Sequence, residues 1–200
     1  MTARDDESAL VAALKAGDRE AFSEVYRRHN AAMVRLAGSI LRNRASAEEV
    51  TQDAWVSVLR KIDSFEGRSL LAGWIFTILA NAARSRARRD GRSVSFNDGL
   101  SGGDGLADAF DGTGRWVQVP ELWEEITPER IVAGRGVLEH VRDAIDALPE
   151  AQRAVLTLRT QQGLEASEVC TILEISEGNM RVLLHRARVA VRNRLDEVLK

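Results

Sequence analysis

Residues 163–188, GLEASEVCTILEISEGNMRVLLHRAR, constrain this chain more than any other stretch. Val169, Ile172 and Leu173 recur at helical spacing, which predicts a short amphipathic helix over 166–173. Glu174 and Ile175 break the run. Ser176 is a good N-cap, so a second helix starts behind it. Met180, Leu183, Leu184, Ala187 and Val191 keep one face of that helix apolar, and the opposite face carries Arg181, His185, Arg186, Arg188 and Arg192. Between Gly178 and Arg194 there are five arginines and no acid. A solvated helical hairpin usually mixes both charge signs. The pattern therefore predicts a helix-turn-helix whose basic second helix enters a DNA major groove.

The formal net charge of −2 hides an uneven distribution. Residues 1–92 hold 16 basic and 12 acidic residues, residues 93–127 hold one arginine and seven acids, and residues 128–200 hold 11 of each. Two neutral-to-basic blocks flank an acidic connector, which the average charge conceals. Arginine outnumbers lysine 25 to 3. Arginine forks onto phosphates and guanine edges, although a GC-rich genome produces the same bias. The single cysteine, Cys170, excludes an internal disulfide and a cysteine-based zinc site, and its place on the apolar face suits a small core residue. No signal segment and no membrane-length apolar run is present, so a cytoplasmic location without membrane insertion is expected.

Taken in order, the chain reads as helices. Residues 5–16 form a short amphipathic one ending at Gly17, and Asp18 caps the next. That helix carries Phe22, Val25, Tyr26, Met33, Leu36, Ile40 and Leu41 on one side and ends near Arg42. Ser46 and Glu49 predict a capping box for a third helix, with Val50, Ala54, Val58 and Ile62, joined by Trp55 and Leu59, as its apolar stripe. A loop, DSFEGR, leads to Ser69, the expected cap of a fourth helix with an apolar first half and a basic end of Arg84, Arg86, Arg88 and Arg89. Residues 93–127 read as a flexible acidic linker, too glycine-rich to bury a core, with Trp116 and Trp123 near its end. Those tryptophans either pack on the following domain or dock on a partner. Thr127-Pro128 opens a helix through Ile131, Leu138, Val141, Ile145 and Leu148, and Pro149 starts another that ends near Gly163. The expected fold is all-α, with two helical domains, 1–92 and 128–200, on a flexible tether.

Four stretches, in this order, carry a resemblance to a known family. They are SAEEVTQDAWVSVLRKI at 46–62, FEGRSLLAGWIFTILAN at 65–81, LPEAQRAVLTLR at 148–159, and the helix-turn-helix at 163–188. The chain resembles a bacterial sigma-70 family RNA polymerase sigma factor of the extracytoplasmic-function class. The resemblance implies that 1–92 is region 2, which binds core polymerase and melts the −10 element, and that 128–200 is region 4, which reads the −35 element. It also implies the partners: promoter DNA, the clamp and flap of the largest polymerase subunits, and an anti-sigma factor. No cofactor, metal or catalysis is implied.

The same resemblance assigns candidate residues. Glu49, Gln52, Asp53 and Trp55 match the helix that docks on the polymerase clamp. Phe65 and Asn81 match positions lining a pocket for a base pulled from the stack, while Arg84 and Arg88 are placed to hold its phosphates. Trp74 and Phe76 are read as stacking residues or, more in keeping with their spacing, core. For the −35 element the candidates are Asn179, Arg181, Val182, His185, Arg186 and Arg188. Asn179, Arg181 and His185 lie where base edges are in reach, and Arg186 and Arg188 suit phosphates. The chain departs from the family at Glu174, where the turn usually has glycine. A positive φ there costs a non-glycine residue about 1 kcal/mol. Glu165 and Ala166 also replace the usual cap and aromatic.

Two other classes compete. A sigma-like decoy that sequesters an anti-sigma factor has no use for the arginines on the fourth and last helices. A free-standing helix-turn-helix repressor has no use for a clamp-docking helix. An enzyme fits least, because His29, His140 and His185 are scattered and no metal-ligand spacing is present.

Overall fold

The computed structural model describes residues 3–91, Phe96 and 135–198. Apart from Phe96, the acidic linker with Trp116 and Trp123 lies outside the described residues, as do Thr127, Pro128 and Ile131. Every regular element among the described residues is helical. The N-terminal half comprises α1 (Ala3–Lys15), α2 (Arg19–Leu41), α3 (Arg44–Lys61), a 3-10 turn (Ile62–Ser64) and α4 (Leu71–Arg89). The C-terminal half comprises α5 (Arg135–Asp146), α6 (Glu150–Leu156) followed by one π-helical turn (Thr157–Gln161), α7 (Ala166–Leu173) and α8 (Glu177–Val198).

Local chemistry sets most helix ends. Asp18 caps α2, its carboxylate accepting from the Glu20 and Ala21 N–H groups at 2.7 and 2.9 Å. Two expected caps are corrected. Asn43, not Ser46, caps α3, its side chain accepting from Ser46 N–H at 2.9 Å. Asparagine three residues upstream satisfies that donor first, so the helix begins three residues earlier than the Ser46–Glu49 box predicts. Ser69 does not cap α4; Leu70 stands at the cap position without a side-chain bond. The free Leu71 N–H donates instead to Glu7 Oε1, 64 residues away on α1, at 3.1 Å. Glu165 does form a capping box, with Glu168. Glu174 ends α7 in the left-handed region at φ 57°, where glycine would be unstrained.

Helices α2, α3 and α4 pack together around Val25, Met33, Leu36, Ile40, Val50, Ala54, Ile75, Phe76 and Leu79. Phe76 is fully buried, which makes it core rather than a stacking residue. In the other half α8 lies on α5, α6 and α7, and Val155, Leu158, Leu164, Val169 and Leu173 are buried. Burying one such side chain contributes about 1.5–3 kcal/mol before the entropy of ordering it is set against that. Cys170 is half-buried at the rim of this core.

The two halves also pack on each other, α6 against α2 and α7 against α4, and their apolar side chains form one continuous cluster. Polar bonds line the seam. His29 Nδ1 lies 2.5 Å from Gln162 Oε1, Arg35 donates to Gln161 at 2.7 Å, and Arg153 donates to Ser39 Oγ at 3.3 Å. Arg42 pairs with Glu150 at 3.4 Å at the exposed edge. This shared face was not legible in the sequence.

Candidate nucleic-acid interface

Helix α8 is built as its sequence pattern requires. Ser176 Oγ accepts from Asn179 N–H at 3.2 Å and closes the first turn. Met180, Leu183, Leu184 and Ala187 are buried and fix the helix against the C-terminal core. Arg181, Val182, His185 and Arg186 are half-buried, and Arg188 is exposed. Arg181 is paired with Glu177, one turn back, at 3.0 Å. Burial, with Arg188 and Arg186 nearby, pushes the His185 imidazole below its ordinary value. A neutral His185 both donates and accepts, which suits a base edge better than a phosphate.

Asn179 stands apart from this set. It is 1% exposed, its Nδ2 donates to the Phe96 carbonyl at 2.9 Å, and its Oδ1 has no hydrogen-bond partner among the described residues. In this conformation it faces no open groove.

Helix α4 and the loop before it form the second cluster. Phe65 is 5% exposed and its ring lies 5.2 Å from Trp74. Lys15 of α1 donates to the Phe65 carbonyl at 2.8 Å and ties the loop to the bundle. Beside them opens a pocket of about 200 Å³ lined by Ser64, Phe65, Glu66, Arg68, Ser69 and Trp74. Asn81 and Arg88 are exposed. Trp74, Asn81 and Arg88 are seven residues apart, two turns each, so they share one face at intervals of about 10 Å. Asn81 does not belong to the pocket that Phe65 lines, so the two are not brought together as the resemblance implies. Trp74 does line it; read from the sequence as a stacking or core residue, it is half-buried.

Arg84 lies off that stripe and is 8% exposed. It donates to the Ile172 carbonyl and pairs with Glu174 at 3.3 Å. Burial lowers its affinity for the proton, Glu174 opposes that, and Arg88 adds to it. Arg84 therefore touches the turn of the helix-turn-helix, not open solvent.

On α3, Glu49, Gln52 and Asp53 are exposed, and Glu49 pairs with Arg86 of α4 at 3.2 Å. Trp55 is separated from them: it is 4% exposed, donates to Asn30 at 3.1 Å, and packs with Phe22 and Tyr26. It shapes the surface from beneath. Leu59, expected on the apolar stripe, is 48% exposed, with Val56 at 46% and Tyr26 at 40%. Gln52, Val56 and Leu59 follow i, i+4, i+7 spacing, so that face combines polar and bare apolar groups. The spacing was visible in the sequence, but nothing local told this stripe from the buried one.

No helix among the described residues is long and apolar enough to cross a membrane. Among the same residues no three His, Cys, Asp or Glu side chains gather to hold a metal ion.

The chain matches two family descriptions, sigma-70 region 2 over residues 25–93 and sigma-70 region 4 over residues 138–191. It is 26% identical to the RNA polymerase sigma-H factor of Pseudomonas aeruginosa, covering all of this chain and 99% of that one. It is 27% identical to the ECF RNA polymerase sigma-E factor of Escherichia coli K12, over 97% of this chain and 96% of that one. Among solved structures it resembles the sigma factor RpoE of Bartonella quintana, solved with the anti-sigma factor NepR, at 22% identity and a TM-score of 0.50, over 88% of this chain and 96% of that one. CnrH, solved with the cytosolic domain of CnrY, is similar at 21% identity and a TM-score of 0.50, over 96% of this chain and 97% of that one. Both region 2 and region 4 are present in order on an all-helical chain, and the chain belongs to the sigma-70 family of RNA polymerase sigma factors, in its extracytoplasmic-function class.

Proposed function

We propose that this protein acts in the cytoplasm as a promoter-specificity subunit, through three separate surfaces. The exposed face of α3, with Glu49, Gln52, Asp53 and the bare Val56 and Leu59, meets core polymerase. The Trp74–Asn81–Arg88 face of α4, with the Phe65 pocket, takes the melted −10 strand. The basic face of α8 reads the −35 duplex, with Arg181 and His185 at base edges and Arg186 and Arg188 on phosphates. The observation that carries this reading is α8 itself. One side is fixed in the core by Met180, Leu183, Leu184 and Ala187, which leaves Arg181, His185, Arg186 and Arg188 on the other sides of the helix, in keeping with a basic face offered to DNA.

Control by an anti-sigma factor is part of the proposal, supported by the Bartonella quintana sigma factor of similar fold solved with one. The protein is not itself a catalyst; the family consists of transcription factors.

The test is run-off transcription with core polymerase on a genomic promoter library. Transcripts that need this chain are expected. Arg181→Ala should relax preference at one or two −35 positions, since a guanine-forked arginine is worth about 1–3 kcal/mol of discrimination. Identical sequence logos for the variant and the wild type would remove Arg181 from base reading.

A further inference from the structure

The loop that carries the Phe65 pocket has little of its own to hold it. Residues 66–70 are all exposed, and Gly67 turns the backbone at φ 71°. An ion pair inside the loop, Arg68 with Glu66, leaves both side chains largely in solvent. Such a pair fixes a backbone weakly. Only at its two ends does the loop enter the bundle, where Phe65 and Leu71 are 5% and 3% exposed.

Helix α1 holds both ends. Lys15 Nζ donates to the Phe65 carbonyl at 2.8 Å, and Glu7 Oε1 accepts from the Leu71 N–H at 3.1 Å. Among the described residues these are the hydrogen bonds that join residues 65–71 to another α-helix, and both come from α1. Glu7 and Lys15 are eight residues apart, a little over two turns, so each serves a different end of the loop. The chemistry suits both places. A carboxylate at the start of α4 meets an N–H that has no partner within its own helix, at the positive end of the helix dipole. An ammonium on a carbonyl makes a charge-assisted bond. Leu10, Val11 and Leu14 seat α1 on the core, against α2 and the 3-10 turn, so the two polar side chains are carried by a helix that is itself fixed. Neither Glu7 nor Lys15 lines the pocket, and neither can touch a base held there.

We propose that α1 is the positioning element of the strand-opening loop, with Glu7 and Lys15 pinning its two ends so that the pocket stands formed before a DNA strand arrives. This rests on the reading of the Phe65 pocket as part of the −10 site. A loop ordered in advance loses no further backbone freedom when a base enters, so more of the contact energy goes into holding the base. Loss of the two links therefore acts on the −10 step alone. Core binding through α3 and −35 reading through α8 use other surfaces and stay as they were.

The test uses the full chain with core polymerase on promoters recovered from the genomic library. Permanganate reactivity at −10 reports melting, and sequence logos are taken at both elements. Lys15→Met changes an exposed side chain and keeps the fold; Glu7→Ala is added to it in a double variant, with the urea midpoint checked. The double variant should lose about fivefold or more in −10 reactivity, the ratio given by losing one helix cap of ordinary strength. Its −10 logo should broaden while the −35 logo and core binding are unchanged. Lys15→Arg and Glu7→Gln keep a donor and an acceptor and should melt like wild type. Wild-type melting by the double variant would overturn the proposal. So would equal loss at −10 and −35, or no rescue by the conservative pair, since α1 would then be a brace for the whole fold. Asn81→Ala with Arg88→Ala, both exposed on α4, separates the two readings. If that variant melts poorly while the α1 variants melt normally, only the role of α1 falls. If it melts like wild type, the −10 reading falls and the proposal with it.

Discussion

Helix α4 leaves Asn81 and Arg88 in solvent and buries Arg84, whereas α8 buries Asn179 in its first turn and leaves Arg188 in solvent. The two helices are of one design, an apolar ridge against a core and arginines on another face. They differ in where a contact from elsewhere in the chain falls. On α4 the contact falls mid-helix, and the buried guanidinium finds a carbonyl and a carboxylate. On α8 it falls at the N-terminus, and the buried amide keeps one atom unpartnered among the described residues. Burial of an arginine with partners is tolerable; an idle buried acceptor costs about 1–3 kcal/mol. The α8 contact is thus the weaker of the two, and the seam should loosen first at Phe96.

The largest test of this comparison is Phe76→Ala. Phe76 is fully buried on α4 and edge-on to His29 at 6.1 Å, beside the seam. Its truncation should cost about 3–5 kcal/mol in urea unfolding. Because the apolar cluster is continuous, fluorescence and circular dichroism should report one shifted transition. Two separated transitions would mean that the halves fold independently and that the shared face contributes little.

Arg84→Met should cost about 1–3 kcal/mol, because the buried Ile172 carbonyl loses its donor. Arg88→Ala should change stability by less than about 0.5 kcal/mol, yet lower the salt dependence of DNA binding by about one unit of slope. If the two variants gave the same profile, the distinction between a seam arginine and a phosphate arginine would be lost.

Acidification provides a third, smaller test. Burial pushes His29 below its ordinary value and Arg28 adds to this, while the Gln162 bond and Glu7 oppose it. The folded chain thus binds fewer protons than the unfolded one just below pH 6.5. Stability is complete above the unfolded value and falls as pH drops through the lowered one. His29→Gln should flatten the dependence of the urea midpoint between mildly alkaline and mildly acidic pH. His185 is lowered as well, mainly by burial in the other half, so some slope should persist until His185 is also replaced.

The smallest effects belong to two strained residues, one in each half. Arg42 at φ 52° and Glu174 at φ 57° are non-glycine residues in the left-handed region. Arg42→Gly should raise stability by up to about 1 kcal/mol. Glu174→Gly should raise it less, because it also removes the carboxylate facing the buried Arg84, although that carboxylate is 69% exposed. Arg42→Gly likewise removes the exposed pair with Glu150, so equal gains in melting temperature would show that the Arg84–Glu174 pair adds no more to the seam than that one does.

What could be read without the structure was local. The 3.6-residue period of Val169, Ile172 and Leu173, and of Met180, Leu183, Leu184 and Ala187, placed the helix-turn-helix within its observed bounds, because each helix must bury one stripe whatever it meets. Asp18 and Ser176 were recognisable as caps since their donors lie two or three residues away. Ser69 failed as a cap because Glu7, from another helix, reached the same N–H. The likeness to region 2 and region 4 rested on residue order, which needs no third dimension. Tertiary structure alone decided which polar groups stay available. Arg84 and Arg88 are one turn apart with identical chemistry, and only the arrival of Ile172 and Glu174, more than 80 residues later, separates them. Asn179 is likewise determined by Phe96. Such pairings are set by the shapes of two packed halves, and no helical period carries information over that distance.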